Sequence, residues 1–115
     1  MFKAWWEIFK ALRTPFTLPL DTDYNRIPLH SLSLLRSTFP FNYVRNYFDC
    51  DDFAWVFKGA ASVNQFNCVG LVIGWWHGLH CWNVALTDQG VYQIEPQTGE
   101  IFTWKKGYVP LFVIL

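Results

Sequence analysis

The chain has 115 residues, of which 52% are hydrophobic and 20% aromatic, so it can bury one modest core and is too apolar to be intrinsically disordered. Nine basic and nine acidic residues give a formal net charge of zero, which argues against nucleic acid as a partner. Three cysteines without metal-ligand spacing indicate reduced thiols, so a single cytoplasmic domain over residues 1–115 is predicted.

Residues 1–14 predict an amphipathic N-terminal helix that ends before Pro15. Its aromatic side, which includes Trp5 and Trp6, is expected to cap the core. Tryptophan together with lysine and arginine also suits a helix lying in a membrane interface, which is the alternative interpretation of this segment. No apolar run approaches the roughly 18 residues that a membrane-spanning helix needs, so no transmembrane segment is predicted.

Two further helices are predicted before the middle of the chain. A short one runs through residues 32–36, and a longer one runs from Cys50 to about Ser62. Apolar residues recur at helical spacing through the longer segment. Asp49 is its expected N-cap, and the aspartates of its first turn suit the positive end of the helix dipole.

The second half of the chain predicts strands. After an apolar run at residues 68–76, the next segment alternates, so that His80 and Trp82 share one face while Cys81 and Asn83 take the other. Further strands are expected at residues 80–86, 91–95 and 100–104. Residues 109–115, interrupted by Pro110, are expected to form an edge strand or a packed tail. The predicted helices come first along the chain and an antiparallel meander follows, which is an α+β layout.

The start of the longer helix contains an electrostatic conflict. Cys50 lies at the first helical position, where unpaired backbone N–H groups lower the pKa of a thiol. Asp49, Asp51 and Asp52 surround it and favour the protonated thiol. A protonated histidine, a bound hard cation, or both would remove the conflict. Calcium fits better than zinc because the available ligands are oxygens, and Asp51 and Asp52 are its expected ligands.

A nucleophile, a base and an orienting carboxylate can be assigned to three positions. Cys50 is the candidate nucleophile, His80 the general base and Glu95 the group that fixes the imidazole tautomer. Gln97 is the fallback partner for His80, because it lies on the same strand face as Glu95 in either register.

Contact between His80 and Glu95 depends on the register of one hairpin. If residues 87–90 form a four-residue loop, Leu86 pairs with Val91, and Glu95 lies diagonal to His80 on the same face. A three-residue loop would move the glutamate to the opposite face.

An acyl-transfer site also needs hydrogen-bond donors for the developing oxyanion. The backbone N–H of Cys50 is one candidate. The side-chain amide of Asn46 or Asn42 is the second, and the sequence does not choose between them.

Three short motifs resemble a known family. Residues 49–54 read Asp-Cys-Asp-Asp-Phe-Ala, residues 80–84 read His-Cys-Trp-Asn-Val, and residues 94–99 read Ile-Glu-Pro-Gln-Thr-Gly. They resemble the papain-like, transglutaminase-like cysteine peptidases, and are most similar to the C-terminal domain of the Marasmius oreades agglutinin and its bacterial and phage relatives. The resemblance covers about residues 20–104. Cys81 departs from it, standing where the family often has alanine.

The resemblance implies a minimal papain-like core, with N-terminal helices and the cysteine helix packed on an antiparallel β-meander. It also implies Cys50, His80 and Glu95 in the three catalytic roles, and calcium dependence with Asp51 and Asp52 as ligands. The predicted function is a papain-like cysteine hydrolase or peptidase acting on a peptide or protein. The alternative is a catalytically inactive papain-like domain that binds a protein partner.

Overall fold

The computed structural model describes residues 2–115, so Met1 of the predicted first helix lies outside the described residues. The described chain forms three helices and six strands. The helices are α1 (Phe2–Leu12), α2 (Leu29–Ser37) and α3 (Cys50–Val63). The strands are β1 (Thr17–Leu18), β2 (Val69–Trp75), β3 (Leu79–Thr87), β4 (Gly90–Glu95), β5 (Glu100–Phe102) and β6 (Val109–Ile114).

All six strands form one sheet in the order β1-β6-β2-β3-β4-β5. Strands β2 to β5 are an antiparallel meander, as the sequence predicts. Strand β6 returns to pair with β2, and β1 pairs with β6 in parallel. The last strand is therefore internal to the sheet, so the expectation of an edge strand or a packed tail at residues 109–115 is wrong.

The pairing of β6 with β2 needs an irregularity, because Pro110 has no N–H to donate to the ladder. The register shifts between Ile73 and Gly74, and Gly74 is the partner of Pro110. A Cβ at Gly74 would meet the backbone oxygen of Val109 and lie 2.6 Å from the ring of Trp82. Glycine at this position is what lets the two strands approach.

The two faces of the sheet are covered by different helices. On β3, Asn83 and Cys81 share the face that α3 covers, because Asn83 Nδ2 donates to the carbonyl oxygen of Ala54 in α3 at 2.9 Å. His80 and Trp82 take the opposite face. The strand therefore divides its polar groups between two separate layers of the molecule.

Helix α1 lies across the face that carries His80. Leu12 lines a cavity of about 240 Å³ together with Gln93, which pairs with Val84 of that face. The helix buries a stripe at i, i+4 and i+8, formed by Ala4, Ile8 and Leu12.

The predicted orientation of α1 is wrong, because its large aromatic residues do not cap the core. Phe2 is 75% exposed and Trp6 45% exposed, and the rings of the aromatic side stack on one another. The smaller side chains of the buried stripe let the helix axis lie closer to the sheet.

Helix α3 begins at Cys50, as predicted from the sequence, and the N-cap is Asp49. The backbone N–H of Asp49 donates to the Asp52 carboxylate at 3.2 Å, which forms one half of a capping box. Helix α2 begins after Pro28. No helix within residues 2–115 combines the length and the apolar character that crossing a bilayer requires.

The predicted fold class, α+β with a minimal papain-like core, is also corrected. Helix α3 does pack on the sheet, but the sheet contains β1 and an internal β6, and it carries a helix on each face. Pairing with β2 gives the backbone N–H and C=O groups of β6 hydrogen-bond partners within the sheet. In a solvent-exposed tail these groups would bond to water instead.

Candidate functional site

The first candidate site is a pair of thiols between α3 and β3, which we call the thiol pair. Cys50 and Cys81, both half-buried, lie close to each other, with the Cys50 thiol beside the backbone of Cys81. Burial raises the pKa of the Cys50 thiol, the backbone of Cys81 partly offsets this, and the nearby carboxylates of Asp49 and Asp51 raise it further. Position at a helix start therefore does not make Cys50 an acidic thiol.

The Cys81 thiol is the weaker acid. Burial raises its pKa to about 12, with contributions from Cys50 and from the charge of Asp51. Both thiols are therefore protonated at neutral pH. The nearness of Cys81 to Cys50 was missed from the sequence, although the alternation of β3 indicates it, because only one of His80 and Cys81 can face α3.

The second candidate site is a buried polar network on the opposite face. His80 Nε2 donates to Glu95 Oε1 at 2.5 Å, and the hydroxyl of Tyr108 donates to the same oxygen at 3.1 Å. The backbone N–H of Gln97 approaches Glu95 Oε2 at 3.4 Å. His80 is 8% exposed and Glu95 3%. The predicted contact between His80 and Glu95 is present, and the predicted pairing of Leu86 with Val91 is confirmed.

Aromatic rings enclose this network. The ring of His80 lies 5.2 Å from Trp76 and 5.8 Å from Trp82, measured between centroids, and Trp76 stacks on Tyr108 at 4.9 Å. Burial and then the charge of Glu95 raise the pKa of Tyr108 far above its usual range. Tyr108 was missed from the sequence because it lies in the loop before β6 and has no periodic pattern to mark it.

Of the three predicted catalytic residues, His80 and Glu95 are hydrogen-bonded to each other. Within residues 2–115 no hydrogen bond joins Cys50 to His80. The catalytic roles of Cys50, His80 and Glu95 stay predictions. Asn42 and Asn46 are both exposed, in the loop before α3, and Asn46 has a positive φ of 67°. Their roles at a functional site stay predictions.

The third candidate is the acidic cluster Asp49, Asp51 and Asp52. One ligand oxygen from each lies within 4.8 Å of the others. A hydrogen bond with Asp51 is the main cause that raises the pKa of Asp49 to about 6, followed by burial and by the charges of Asp51 and Asp52. Three carboxylates this close suit a hard cation chemically, because all the donors are oxygens.

A polar cleft was missed entirely from the sequence. It is a shallow cavity of about 640 Å³ lined by Asp21, Asp23, Tyr24, Asn25, Ser62, Gln65 and Asn67. Asn67 holds its two walls together, since its Oδ1 accepts from the Asn25 N–H at 3.0 Å and its Nδ2 donates to the Asp23 carbonyl at 2.7 Å. The concentration of aspartate and asparagine in residues 21–25 was the only sequence signal.

The described chain is thus a six-stranded sheet with helices on both faces, a buried polar network and an exposed polar cleft. The family model of the ricin-type β-trefoil lectin C-terminal domain matches residues 20–115, and the chain therefore belongs to that family. A comparison with curated proteins finds no match.

Two solved structures resemble the chain over nearly all its length. One is a PSL1a–E64 complex, with a TM-score of 0.84 and 26% identity, covering 99% of this chain and 49% of that one. The other is Polyporus squamosus lectin bound to the human-type influenza-binding epitope Neu5Acα2-6Galβ1-4GlcNAc, with a TM-score of 0.80 and 26% identity, covering 95% and 46%. The chain thus spans about half the length of each structure.

These matches correct the interpretation drawn from the short motifs. The family model and the structural neighbours are those of lectins, so the assignment to papain-like cysteine peptidases and to a papain-like core is wrong. The predictions of a cysteine hydrolase, of a peptide or protein substrate and of an inactive papain-like domain that binds a protein are wrong with it. The electrostatics of Cys50 agree with this correction, because burial and nearby carboxylates raise the pKa of its thiol, whereas a thiol nucleophile is activated by a lowered pKa.

Proposed function

We propose that this chain is a carbohydrate-binding lectin domain. The observation that carries the proposal is its likeness, over 95% of its residues and at 26% identity, to a lectin whose structure holds a sialylated trisaccharide. The family match over residues 20–115 supports the same conclusion.

The polar cleft is the part of this chain whose chemistry suits a sugar. Carboxylate and amide side chains such as Asp23 and Asn25 are planar hydrogen-bonding groups that can pair with sugar hydroxyls. The half-buried ring of Tyr24 offers a flat apolar surface for the C–H face of a pyranose. A few convergent polar groups beside an aromatic ring are the usual composition of a small-molecule site.

A smaller cavity of mixed charge adjoins the cleft. It has a volume of about 160 Å³ and shares Asp23 and Tyr24 with the cleft, and its lining also includes Lys3, Glu7 and Arg26. Arg26 pairs with Glu7 and donates to the Thr87 carbonyl at 3.1 Å, so its position is fixed. The Lys3 ammonium, a hydrogen-bond donor, suits a hydroxyl or carboxylate group of a bound glycan.

The test is direct binding of Neu5Acα2-6Galβ1-4GlcNAc and of Galβ1-4GlcNAc, by titration calorimetry on the 115-residue chain. We expect saturable binding of the sialylated glycan, weakened about 10-fold by Asp23→Ala, because one hydrogen bond to a polar ligand is worth about that factor. The matched control is Glu100→Gln, which removes an exposed carboxylate in β5. Absence of binding to either glycan, and to a broader glycan array, would overturn the proposal for this chain.

We also propose that the acidic cluster binds calcium, with Asp51 and Asp52 as ligands and Asp49 beside them. The separation of the three carboxylate oxygens, within 4.8 Å, supports this assignment. The hydrogen bond with Asp51 is the main cause that raises the pKa of Asp49, and a bound Ca²⁺ would offset the repulsion from Asp51 and Asp52 that adds to it. Its test is the calcium dependence of unfolding, given in the Discussion.

A further inference from the structure

Helix α1 has a second apolar face, which points away from the core. This aromatic side consists of Phe2, Trp5, Trp6 and Phe9. Phe2 and Trp6 are exposed, and Trp5 and Phe9 are half-buried. An exposed group of large apolar side chains marks an interaction surface, because covering it removes apolar area from water. The polar cleft proposed for glycans includes none of these four residues.

Contacts among the rings hold the aromatic side together as one surface. Trp5 stacks on Phe2 at 5.8 Å and on Phe9 at 5.4 Å, measured between ring centroids. Trp6 stacks on Phe9 at 5.8 Å. Trp5 Nε1 also donates to the carbonyl oxygen of Pro15 at 2.9 Å, which ties this ring to the segment after the helix. Side chains that are already ordered lose little entropy when a partner covers them.

Positive charge borders the aromatic side. Lys10 Nζ lies 5.8 Å from the centroid of the Trp6 ring, and Arg13 follows the last residue of the helix. Both cationic side chains are exposed, and within residues 2–115 neither forms an ion pair. Glu7, the only acidic residue of α1, is paired with Arg26. The edge of the aromatic side therefore has unpaired positive charge.

We propose that the aromatic side docks on an anionic phospholipid surface, with α1 lying in the plane of the membrane. Tryptophan and phenylalanine rings favour the boundary between the headgroups and the acyl chains. The aliphatic stem of Lys10 can lie along the rings while its ammonium group reaches the headgroup phosphates. The helix rests on the membrane without crossing it, since no helix within residues 2–115 is long and apolar enough to span one.

Charge decides between a membrane and a second copy of this chain as the occupant of this side. A symmetric contact between two copies would bring the same surface of each together, with the unpaired Lys10 and Arg13 of both, and like charges repel. An anionic lipid surface instead attracts both cations, and each contributes about a fivefold gain in binding. Lys3 adds less, because it lines a cavity together with the carboxylate of Asp23.

The test is flotation of the 115-residue chain with vesicles of phosphatidylcholine, prepared with and without phosphatidylserine. These vesicles contain no sugar, so the result does not depend on the proposed lectin function. We expect phosphatidylserine to tighten binding about 10-fold or more. Raising the salt concentration from about 0.1 M to about 1 M should remove most of this preference, because the Debye length falls from about 10 Å to about 3 Å.

Two variants with matched controls locate the contact. Trp6→Ala should weaken binding about 10-fold or more, because it removes a ring that enters the interface, whereas Trp55→Ala, at an exposed tryptophan of α3, should leave binding unchanged. Lys10→Gln should weaken binding about fivefold. Arg45→Gln makes the same change of charge in the exposed loop before α3 and should have no effect.

Three results would each overturn the proposal. The first is absence of binding to vesicles that contain phosphatidylserine, and the second is an equal loss of binding in a variant and its control. The third is a dimer that forms without lipid and is dissociated by Trp6→Ala, which would assign the aromatic side to a second copy of the chain. Both Trp6 and Lys10 are exposed, so the variants should fold, and urea midpoints equal to that of the parent chain check this.

Discussion

Asn83 Nδ2 donates to the backbone carbonyl of Ala54 at 2.9 Å across the interface between α3 and β3. Successive side chains of a strand point to opposite faces, so His80, three residues before Asn83, lies on the other face of β3. There His80 is hydrogen-bonded to Glu95. The alternation of β3 thus divides two buried polar residues between the two faces of the sheet.

Glu95 should contribute strongly to stability. In Glu95→Ala the buried donors of His80 and Tyr108 lose their acceptor, so we expect the free energy of unfolding to fall by ~3 kcal/mol. The matched control is Glu100→Ala, which breaks an exposed ion pair with Lys105 and should cost ~0–1 kcal/mol. Urea unfolding of the two variants measures the difference, and equal losses would show that the network does not stabilise the fold.

Asp49 should make stability depend on pH in a defined direction. Its pKa is raised from 3.8 to about 6 in the folded state, mainly by the hydrogen bond with Asp51. A raised pKa means that folding favours the protonated carboxyl, so its contribution is present below pH 3.8 and is lost as pH rises through about 6.

The comparison variant is Asp49→Asn, which keeps a good N-cap and cannot ionise. Urea midpoints measured from pH 3.5 to pH 7.5 should show the parent chain losing stability relative to the variant as pH rises. Curves that run parallel over this range would contradict the raised pKa.

Calcium should stabilise the chain through the acidic cluster. Ligand that binds only the folded state adds RT ln(1 + [L]/Kd), so calcium at about 100 times its Kd should add ~2.7 kcal/mol to the free energy of unfolding. Asp51→Asn should abolish most of this gain, and so should Asp52→Asn. Thermal unfolding with calcium, with magnesium and with a chelator measures it. Equal melting temperatures in the parent chain under all three conditions would rule out the calcium site.

Two glycines should respond oppositely to alanine. Gly59 lies exposed in α3 with no atom within 4 Å of an added Cβ, so Gly59→Ala should stabilise the chain by up to ~1 kcal/mol. At Gly74 the added Cβ meets the Val109 backbone and the Trp82 ring, so Gly74→Ala should cost ~1–3 kcal/mol. Denaturant unfolding of both variants checks the signs, and a neutral Gly74→Ala would mean that β6 can move away from β2.

The sequence by itself determined the local features of the fold. The start of α3 at Cys50 follows from Asp49 as a cap and from apolar residues at helical spacing. The hairpin between β3 and β4 follows from its turn residues, and the pairing of Leu86 with Val91 is one of the two registers that the sequence allowed. Each depends on interactions between residues close together in the chain, which a pattern can report.

Only the tertiary structure decided which partners these local elements meet. Helix α3 packs on the Cys81 face of β3, and α1 buries the stripe that contains Ala4. Both orientations depend on the total apolar area that the whole chain buries. The insertion of β6 beside β2 and the joining of Asn25 to Asn67 in the polar cleft link segments far apart in sequence. No local periodicity encodes such pairings, because their free energy arises only when the distant segments meet.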